Sequence, residues 1–154
     1  MTSTGKRLPL FYAWLSQLKP LTLALTQLNV VLYRCSGGRI GGAINTSPIC
    51  LLTLTRRKSG ERKTIALMYT AHRDKVLLVA SLGGADVNPA WYHNLKAHPE
   101  VEIEAEGRKR HLRAREASDT EHAALWPVVV KSYPAFADYQ KKTTRRIPIM
   151  VCEP

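Results

Sequence analysis

The segment from Glu100 to Arg115 constrains the fold of this chain more than any other. Between Glu100 and Glu106, four glutamates alternate with three apolar residues, which is the period of a half-buried β-strand. A turn at Glu106-Gly107 would set acids opposite bases, in the pairs Glu104 with Lys109, Glu102 with His111 and Glu100 with Arg113. Opposite charges that face each other across strands stabilise a pair by about 0.2–1 kcal/mol. The segment therefore predicts an antiparallel hairpin.

The same pairing bears on function, because a run of basic residues binds phosphate only when its charges are not already paired with acids. The basic residues at 108–115 are paired with local acids, so we expect no nucleic-acid partner for this run.

Further elements follow from apolar periodicity and turn signals. Strands are predicted at 49–55, 63–71, 76–81 and 147–152, with turns at 56–62 and 72–74. Helices are predicted from Pro89 to about Ala97, with Asn88 as its cap, from a Ser118 capping box to Lys131, and over 135–142. The first three strands run in meander order, so we expect an α+β fold, an antiparallel barrel with helices packed at its ends.

Length and residue usage exclude several classes of protein. A chain of 154 residues that is 45% hydrophobic can build one core without staples. The cysteines Cys35, Cys50 and Cys152 are odd in number and match no zinc spacing, and the five histidines form no short ligand pair. We expect no metal site, no disulfide framework and a reducing, cytoplasmic environment.

Residues 1–42 differ in composition from residues 43–154. Lys19 is the only charge between Leu8 and Tyr33, but polar residues interrupt the apolar run too often for a membrane span or a signal peptide. We interpret 1–42 as an amphipathic helical segment with a Gly-rich linker, and 43–154 as the folded domain. Packing on the core and contact with an anionic membrane surface both remain open for the segment.

Positive charge is concentrated in the first two-thirds of the chain. The net charge is +11, and residues 1–99 hold 13 of the 23 Lys and Arg residues but only three of the 12 acids. The run Arg56–Lys63, the basic turn, places five cations beside Glu61 alone. Guanidinium groups and turn amides near Ser59 and Gly60 suit a phosphate, although a solvated surface turn has the same composition.

Two other segments are candidates for a site. Ser81 ends a predicted central strand, and glycines and a helix start with Trp91 and Tyr92 follow it. Tyr133, Phe136 and Tyr139 lie on one helical face, which suits either a core or a planar substrate.

Four ordered motifs resemble one known family. They are LLTLTRRKSG, VLLVASLGGADVNPAWYHNLKAHPEV, WPVVVKSYPAFADYQ and IPIMVCEP, spread from about Pro48 to Pro154. The sequence resembles the deazaflavin-dependent nitroreductases, also described as quinone reductases that use reduced coenzyme F420. The resemblance implies a split β-barrel of the FMN-binding-like type.

The resemblance also implies which residues meet the cofactor, a deazaflavin with a phosphodiester and an oligoglutamate tail. Phosphate contacts fall on Arg57, Lys58 and Ser59, with Lys63 close by. Ring contacts fall on Ile65, Ala66, Met68, Val79, Ala80 and Ser81. The helix start contributes Ala90, Trp91, Tyr92, His93 and Asn94. Leu82 also falls among the cofactor contacts but stands where a relative has a lysine, so one tail or phosphate contact is missing. We expect Arg56, which replaces a glycine, to compensate for it.

The implied activity is hydride transfer from C5 of the reduced deazaflavin to a quinone, nitroaromatic or enone lactone held about 3–3.5 Å away. Ser81 would hydrogen-bond near the reacting edge, and Tyr133 would either donate a proton to the acceptor or bond to the oxyanion that develops on it. Met68, Tyr133, Phe136 and Tyr139 are the expected substrate contacts. Because Met68 and Phe136 lack the hydroxyls found in relatives, we expect a preference for quinones over nitroimidazoles.

The sequence leaves two alternative functions open, and it does not determine the oligomeric state. One is a split-barrel reductase that uses FMN, although five cations suit a longer anionic tail. The other is a basic nucleic-acid or lipid-binding module without catalysis, although the aromatic residues lie mostly in apolar runs. The sequence is compatible with a monomer or a homodimer.

Overall fold

The computed structural model describes residues 43–44 and 47–154, so the predictions for residues 1–42 lie outside the described residues. The strands are β1 (Ala43–Ile44), β2 (Ser47–Thr55), β3 (Arg62–Met68), β4 (Thr70–His72), β5 (Lys75–Val79), β6 (Glu100–Ala105), β7 (Arg108–Glu116) and β8 (Ile149–Glu153). The helices are α1 (Ala90–Ala97), α2 (Asp119–Ser132) and α3 (Ala135–Lys141), and a 3₁₀ turn covers Leu82–Gly84.

The strands form one antiparallel sheet in the order β1-β2-β6-β7-β8-β5-β4, with β3 also paired to β2. The predicted strand 63–71 is two strands: β3 pairs with β2, and after Tyr69 the chain continues as β4 and pairs with β5. The α+β class is confirmed. The barrel is not closed by hydrogen bonds, because this interruption leaves the sheet open, as in a split barrel.

The predicted hairpin is confirmed with its register. In the charged hairpin (β6 and β7, residues 100–116), Glu100 lies opposite Arg113, Glu102 opposite His111 and Glu104 opposite Lys109. Glu106 and Gly107 both have positive φ, as a tight two-residue turn requires. One detail differs, since the Lys109 ammonium contacts the diagonal Glu102 at 3.1 Å.

Other local predictions had mixed outcomes. The Ser118 capping box is present, with the Ser118 side chain and Glu121 bonding reciprocally at the start of α2. The Asn88 cap is wrong: Pro89 is the cap residue of α1, and the Asn88 side chain accepts a hydrogen bond from Arg145 instead. The third and last predicted strands are shorter than expected, since β5 ends at Val79 and β8 begins at Ile149.

Opposite faces of β5 and β8 build two cores. Val76, Leu78, Met150 and Cys152 join the strand core under α1, where Leu95 is buried. Their neighbours Leu77, Ile149 and Val151 pack against α2 and α3, in a second core that includes Val129 and Phe136. This period of two places the central sheet between helices on both sides.

Two absences apply to the described residues only. None of the helices there combines the length and apolarity needed to cross a membrane. Within the same ranges, no group of three or more His, Cys, Asp or Glu side chains is arranged to hold a metal ion.

Candidate functional site

A cavity of about 620 Å³ lies between the basic turn, β3 and α1. Its lining residues are Leu54, Arg56, Arg57, Lys58, Ser59, Lys63, Ile65, Ala90, Trp91 and Asn94. Eight of these ten were expected at the site, and they come from three separate segments of the sequence. Leu54 was not expected, and Arg56 was expected only as a compensating charge.

The shape of the basic turn is fixed by its own backbone and by α1. Gly60 has a φ of +73°, and its N–H donates to the Arg56 carbonyl at 2.9 Å. The Arg56 N–H donates to the Glu61 carbonyl at 2.8 Å. The Arg57 N–H donates to the Asn94 side-chain oxygen at 3.1 Å, which joins the turn to α1. The turn so shaped contributes Arg56, Arg57, Lys58 and Lys63 to the lining of the cavity.

The charges of the basic turn are unequally compensated. Glu61 accepts hydrogen bonds from Arg56 at 3.3 Å and from the Ser59 hydroxyl at 3.1 Å. Arg57, Lys58 and Lys63 form no ion pair with any residue in 47–154. These three cations are available to an anionic ligand, whereas Ser59 would first have to leave Glu61.

The inner wall of the cavity is apolar. Trp91 and Ile65 pack against the strand core and line the cavity with Leu54. Successive side chains of a strand point to opposite faces, so Lys63 and Ile65 share the cavity face of β3. Ala66 packs on Leu51 at the other face, and Met68 shares its parity. The expected ring contacts on β3 are therefore divided between two faces, and only Ile65 lines the cavity.

Tyr92 and His93 belong to α1 but do not line the cavity. The Tyr92 hydroxyl donates to a Glu116 carboxylate oxygen at 2.7 Å, and Lys96 donates to the same oxygen at 3.0 Å. Burial and this hydrogen bond raise the pKa of Tyr92 to about 12. The His93 ring lies edge-on to Tyr92 at 5.2 Å. Tyr92 and Lys96 thereby anchor α1 to the end of β7.

The segment from Val79 to Leu82 lies outside the lining of this cavity. Ala80 is fully buried, and Ser81 is almost so. The Ser81 carbonyl accepts from the Gly84 N–H at 2.9 Å, which begins the 3₁₀ turn. Leu82 has a φ of +45° and is 51% exposed. Val79 packs on the core cluster that holds Tyr133, Phe136 and Tyr139, three of the four predicted substrate contacts.

Tyr133, Phe136 and Tyr139 form one aromatic cluster, whereas Met68, the fourth predicted substrate contact, lies at the end of β3 and outside it. The Tyr133 ring lies 5.0 Å from Phe136 and 6.3 Å from Tyr139, centroid to centroid. Phe136 is buried beneath the other two. A hydrogen bond with Tyr133 raises the pKa of Tyr139 above its ordinary value. The predicted grouping of the three rings is therefore present, with two hydroxyls at its surface.

Arg145 is the residue that sequence analysis missed. Its guanidinium donates to the carbonyls of Ala80, Ser81 and Ala85 and to the Asn88 side chain. In the sequence it is one of several bases in KKTTRR, and nothing in that run sets it apart. Only the tertiary fold brings 145 next to 80–88.

Comparison with known proteins places this chemistry in a family. The sequence profile described as F420H(2)-dependent quinone reductase matches residues 25–154. The chain belongs to this family. The match begins before Pro48, so membership extends into the segment 1–42 and is wider than the motifs alone indicated.

Individual relatives agree. An F420H(2)-dependent quinone reductase of Mycobacterium tuberculosis strain H37Rv is 37% identical over 131 residues, which are 82% of this chain and 88% of that protein. A solved F420-H2 dependent reductase is 38% identical with a TM-score of 0.65, covering 69% of this chain and 94% of its own. A second solved structure, described as a domain-swapped dimer, is 34% identical with a TM-score of 0.67, covering 87% and 99%.

Proposed function

We propose that this protein binds reduced coenzyme F420 in the 620 Å³ cavity and reduces a quinone by hydride transfer. The observation that carries the proposal is the juxtaposition of three cations that lack acidic partners in 47–154 with an apolar aromatic wall. Family membership supplies the cofactor and the reaction class.

The residues present fit such a cofactor. Arg57 and Lys58 would hold a phosphodiester, since guanidinium groups bind phosphate bidentately and ammonium groups bind it as point charges. Lys63, on the same side of β3 as Ile65, would extend positive charge along the cavity. Trp91 and Ile65 would hold a planar ring. The bound cofactor supplies a hydride from C5.

The acceptor side is assigned to the aromatic cluster. The hydroxyls of Tyr133 and Tyr139 interact with each other, and the Tyr133 hydroxyl would bond an acceptor oxygen as negative charge develops there. The Ser81 hydroxyl, on an almost fully buried residue shortly after β5, is assigned a bond near the reacting edge of the cofactor. The buried Phe136 and the partly buried Val79 make the neighbourhood apolar, which suits a quinone.

The alternatives are less well supported. An FMN reductase needs charge for one phosphate, whereas the basic turn carries five cations, and the family uses F420. A non-catalytic nucleic-acid or lipid module would not require the apolar wall inside a cavity. Nitroaromatics and enone lactones remain proposed secondary acceptors, since they share the electron-poor, planar character of a quinone.

Steady-state kinetics tests the proposal. Purified protein is mixed with reduced F420 and a short-chain menaquinone analogue, and reoxidation of the deazaflavin is followed by absorbance. We expect saturable turnover that depends on the quinone, with none when reduced FMN replaces F420. Turnover with FMN alone, or none with F420, would reject the proposal.

Tyr133→Phe and Tyr139→Phe separate the roles of the two hydroxyls. Tyr133→Phe, which removes the hydroxyl assigned to the acceptor, should lower kcat by at least about tenfold, since positioned proton donors contribute about 10²–10⁴-fold. Loss of the supporting hydroxyl at Tyr139 should have a smaller effect. Equal rates for Tyr133→Phe and wild type would remove Tyr133 from the mechanism.

A peripheral contact of residues 1–32 with an anionic membrane surface is also proposed, from their apolar periodicity and the net charge of +11. Full-length protein should co-sediment with anionic vesicles, and a chain lacking residues 1–32 should not. The state of assembly, monomer or homodimer, is tested by light scattering; the domain-swapped relative makes a dimer the expected outcome.

A further inference from the structure

The Arg145 side chain contacts the segment 80–88, which connects β5 to α1. Its Nε donates to the Ala85 carbonyl at 2.8 Å and one terminal nitrogen donates to the Asn88 side-chain oxygen at 2.7 Å. The other terminal nitrogen donates to the carbonyls of Ala80 at 3.0 Å and Ser81 at 3.1 Å. Four oxygens of the segment 80–88 are therefore held by one planar guanidinium.

Arg145 is itself held in place by α3. The Gln140 amide nitrogen donates to the Arg145 carbonyl at 2.8 Å, and the Gln140 oxygen accepts from the Ile147 N–H at 2.9 Å. Beside it, the Thr143 hydroxyl donates to the Asp86 carboxylate at 2.8 Å. Residues 143–147 are thus bonded to Gln140 of α3 and to Asp86 of the segment 80–88. The position of Arg145 therefore depends on that of α3, which also carries Phe136 and Tyr139.

The segment 80–88 also touches α3 directly. Gly84 has a φ of +87°, and a Cβ at this position would lie 2.7 Å from the Tyr139 carbonyl oxygen. Only glycine allows this approach. The segment 80–88 therefore packs against α3 at Gly84 and accepts four hydrogen bonds from Arg145.

We infer that Arg145 is a positioning residue for hydride transfer, which fixes Ser81 relative to α1 and to the two tyrosines. The inference rests on the proposed function, because it concerns the geometry between cofactor and acceptor. Arg145 does not line the 620 Å³ cavity, so it acts through the backbone of 80–88. Burial lowers the pKa of Arg145 below its ordinary value, because desolvation disfavours the charged guanidinium.

Arg145→Lys is the central variant, because an ammonium keeps the charge but cannot reach four oxygens with the fixed fork of a guanidinium. Arg146→Lys is the matched control: Arg146 is the next residue and forms an ion pair with Asp119 at 2.6 Å on the surface. Asn88→Ala removes only one of the four acceptors and provides a milder variant in case Arg145→Lys folds poorly.

We expect Arg145→Lys to lower kcat with the quinone at least tenfold while the Kd for oxidised F420 changes less than threefold, since the phosphate contacts on the basic turn are untouched. Arg146→Lys should match wild type in both kcat and Kd. The kcat of Asn88→Ala should lie between those of wild type and Arg145→Lys. A kcat within twofold of wild type in Arg145→Lys, or a Kd that rises in proportion to the loss in kcat, would overturn the inference.

Hydrogen exchange in the free protein tests the same inference without turnover. The amides of Gly84 and Ala85 are bonded within the 3₁₀ turn and should exchange at least tenfold faster in Arg145→Lys but not in Arg146→Lys. Unchanged protection would contradict the positioning role. If wild type fails to oxidise reduced F420 while this exchange difference is present, the proposed function fails and the structural role of Arg145 stands.

Discussion

The basic turn and the charged hairpin have the same number of cationic Lys and Arg residues and opposite consequences. Residues 56–63 hold five Lys and Arg residues with one acid, and residues 100–116 hold five with five acids. In the hairpin, Lys109 contacts Glu102, Arg113 contacts Glu100, and Arg115 contacts both Glu121 and Glu153. In the turn, Glu61 engages Arg56 and leaves Arg57 and Lys58 without an acidic partner in the described residues.

The difference teaches that the local balance of charge, and not the number of bases, marks a candidate anion site. A paired cation has already lost part of its hydration and gained a fixed partner, so a phosphate must displace that partner to bind. An unpaired cation beside a cavity has no such competitor.

Two charge-matched double variants provide the strongest test of this comparison. Arg57→Ala with Lys58→Ala should weaken F420 binding by about 3–6 kcal/mol, since each charge-assisted bond contributes about 1.5–3 kcal/mol. Lys109→Ala with Arg113→Ala removes the same charge from the hairpin and should change the Kd less than threefold. Titration of each folded variant with F420 gives the Kd. Equal losses in both would mean that net charge, not position, determines affinity.

The sequence predicted most of the hairpin because its information is local. The alternation at 100–106 sets the faces, Glu106-Gly107 sets the turn, and the two together determine the register. The clustering of Arg57, Lys58 and Ser59 was likewise local, since the three are consecutive.

What the sequence did not predict depends on distant contacts. Arg145 reaches segment 80–88 only through the fold, and the same contact takes Asn88 away from the predicted cap. The break at Tyr69 was hidden because 63–71 is uniformly strand-forming, although its two halves pair with different neighbours. Ala66 and Met68 were grouped with Ile65 by resemblance, whereas strand alternation places them on the other face.

Acid titration extends the comparison to the paired cations. The hydrogen bond with Arg115, followed by the backbone bond from Ser118, lowers the pKa of Glu121 from 4.5 to about 2. A carboxylate with a lowered folded pKa adds stability above about pH 4.5 and loses it as the pH falls towards 2. Because the Glu121 side chain is 37% exposed, solvent screening reduces this to about 1 kcal/mol.

Chemical denaturation of wild type and Glu121→Gln between pH 7 and pH 2 measures the effect. Glu121→Gln should be less stable at pH 7, and the difference should narrow as the pH falls below about 4.5. Glu100→Gln is the control, because its ion pair with Arg113 is largely exposed and should contribute little at any pH. A difference that is constant with pH would remove the Arg115–Glu121 pair as its source.

The smallest expected effect concerns Glu102, whose side chain is only 17% exposed between two bases. Its carboxylate lies 3.1 Å from the Lys109 ammonium and 3.7 Å from the His111 ring nitrogen. Glu102→Gln keeps the size and removes the charge, so we expect a loss of about 0.2–1 kcal/mol in the free energy of unfolding, the usual contribution of a cross-strand pair. Because Debye screening at 1 M salt acts over about 3 Å, the loss in the free energy of unfolding should be smaller at that salt concentration.

The same variant also tests cofactor affinity. The Kd for F420 should stay within threefold of wild type, since neither Lys109 nor His111 lines the 620 Å³ cavity. If the loss of the Glu102 charge instead tightened F420 binding tenfold, Lys109 would contribute to cofactor affinity. The distinction between a basic turn that binds the cofactor and a hairpin that does not would then be wrong.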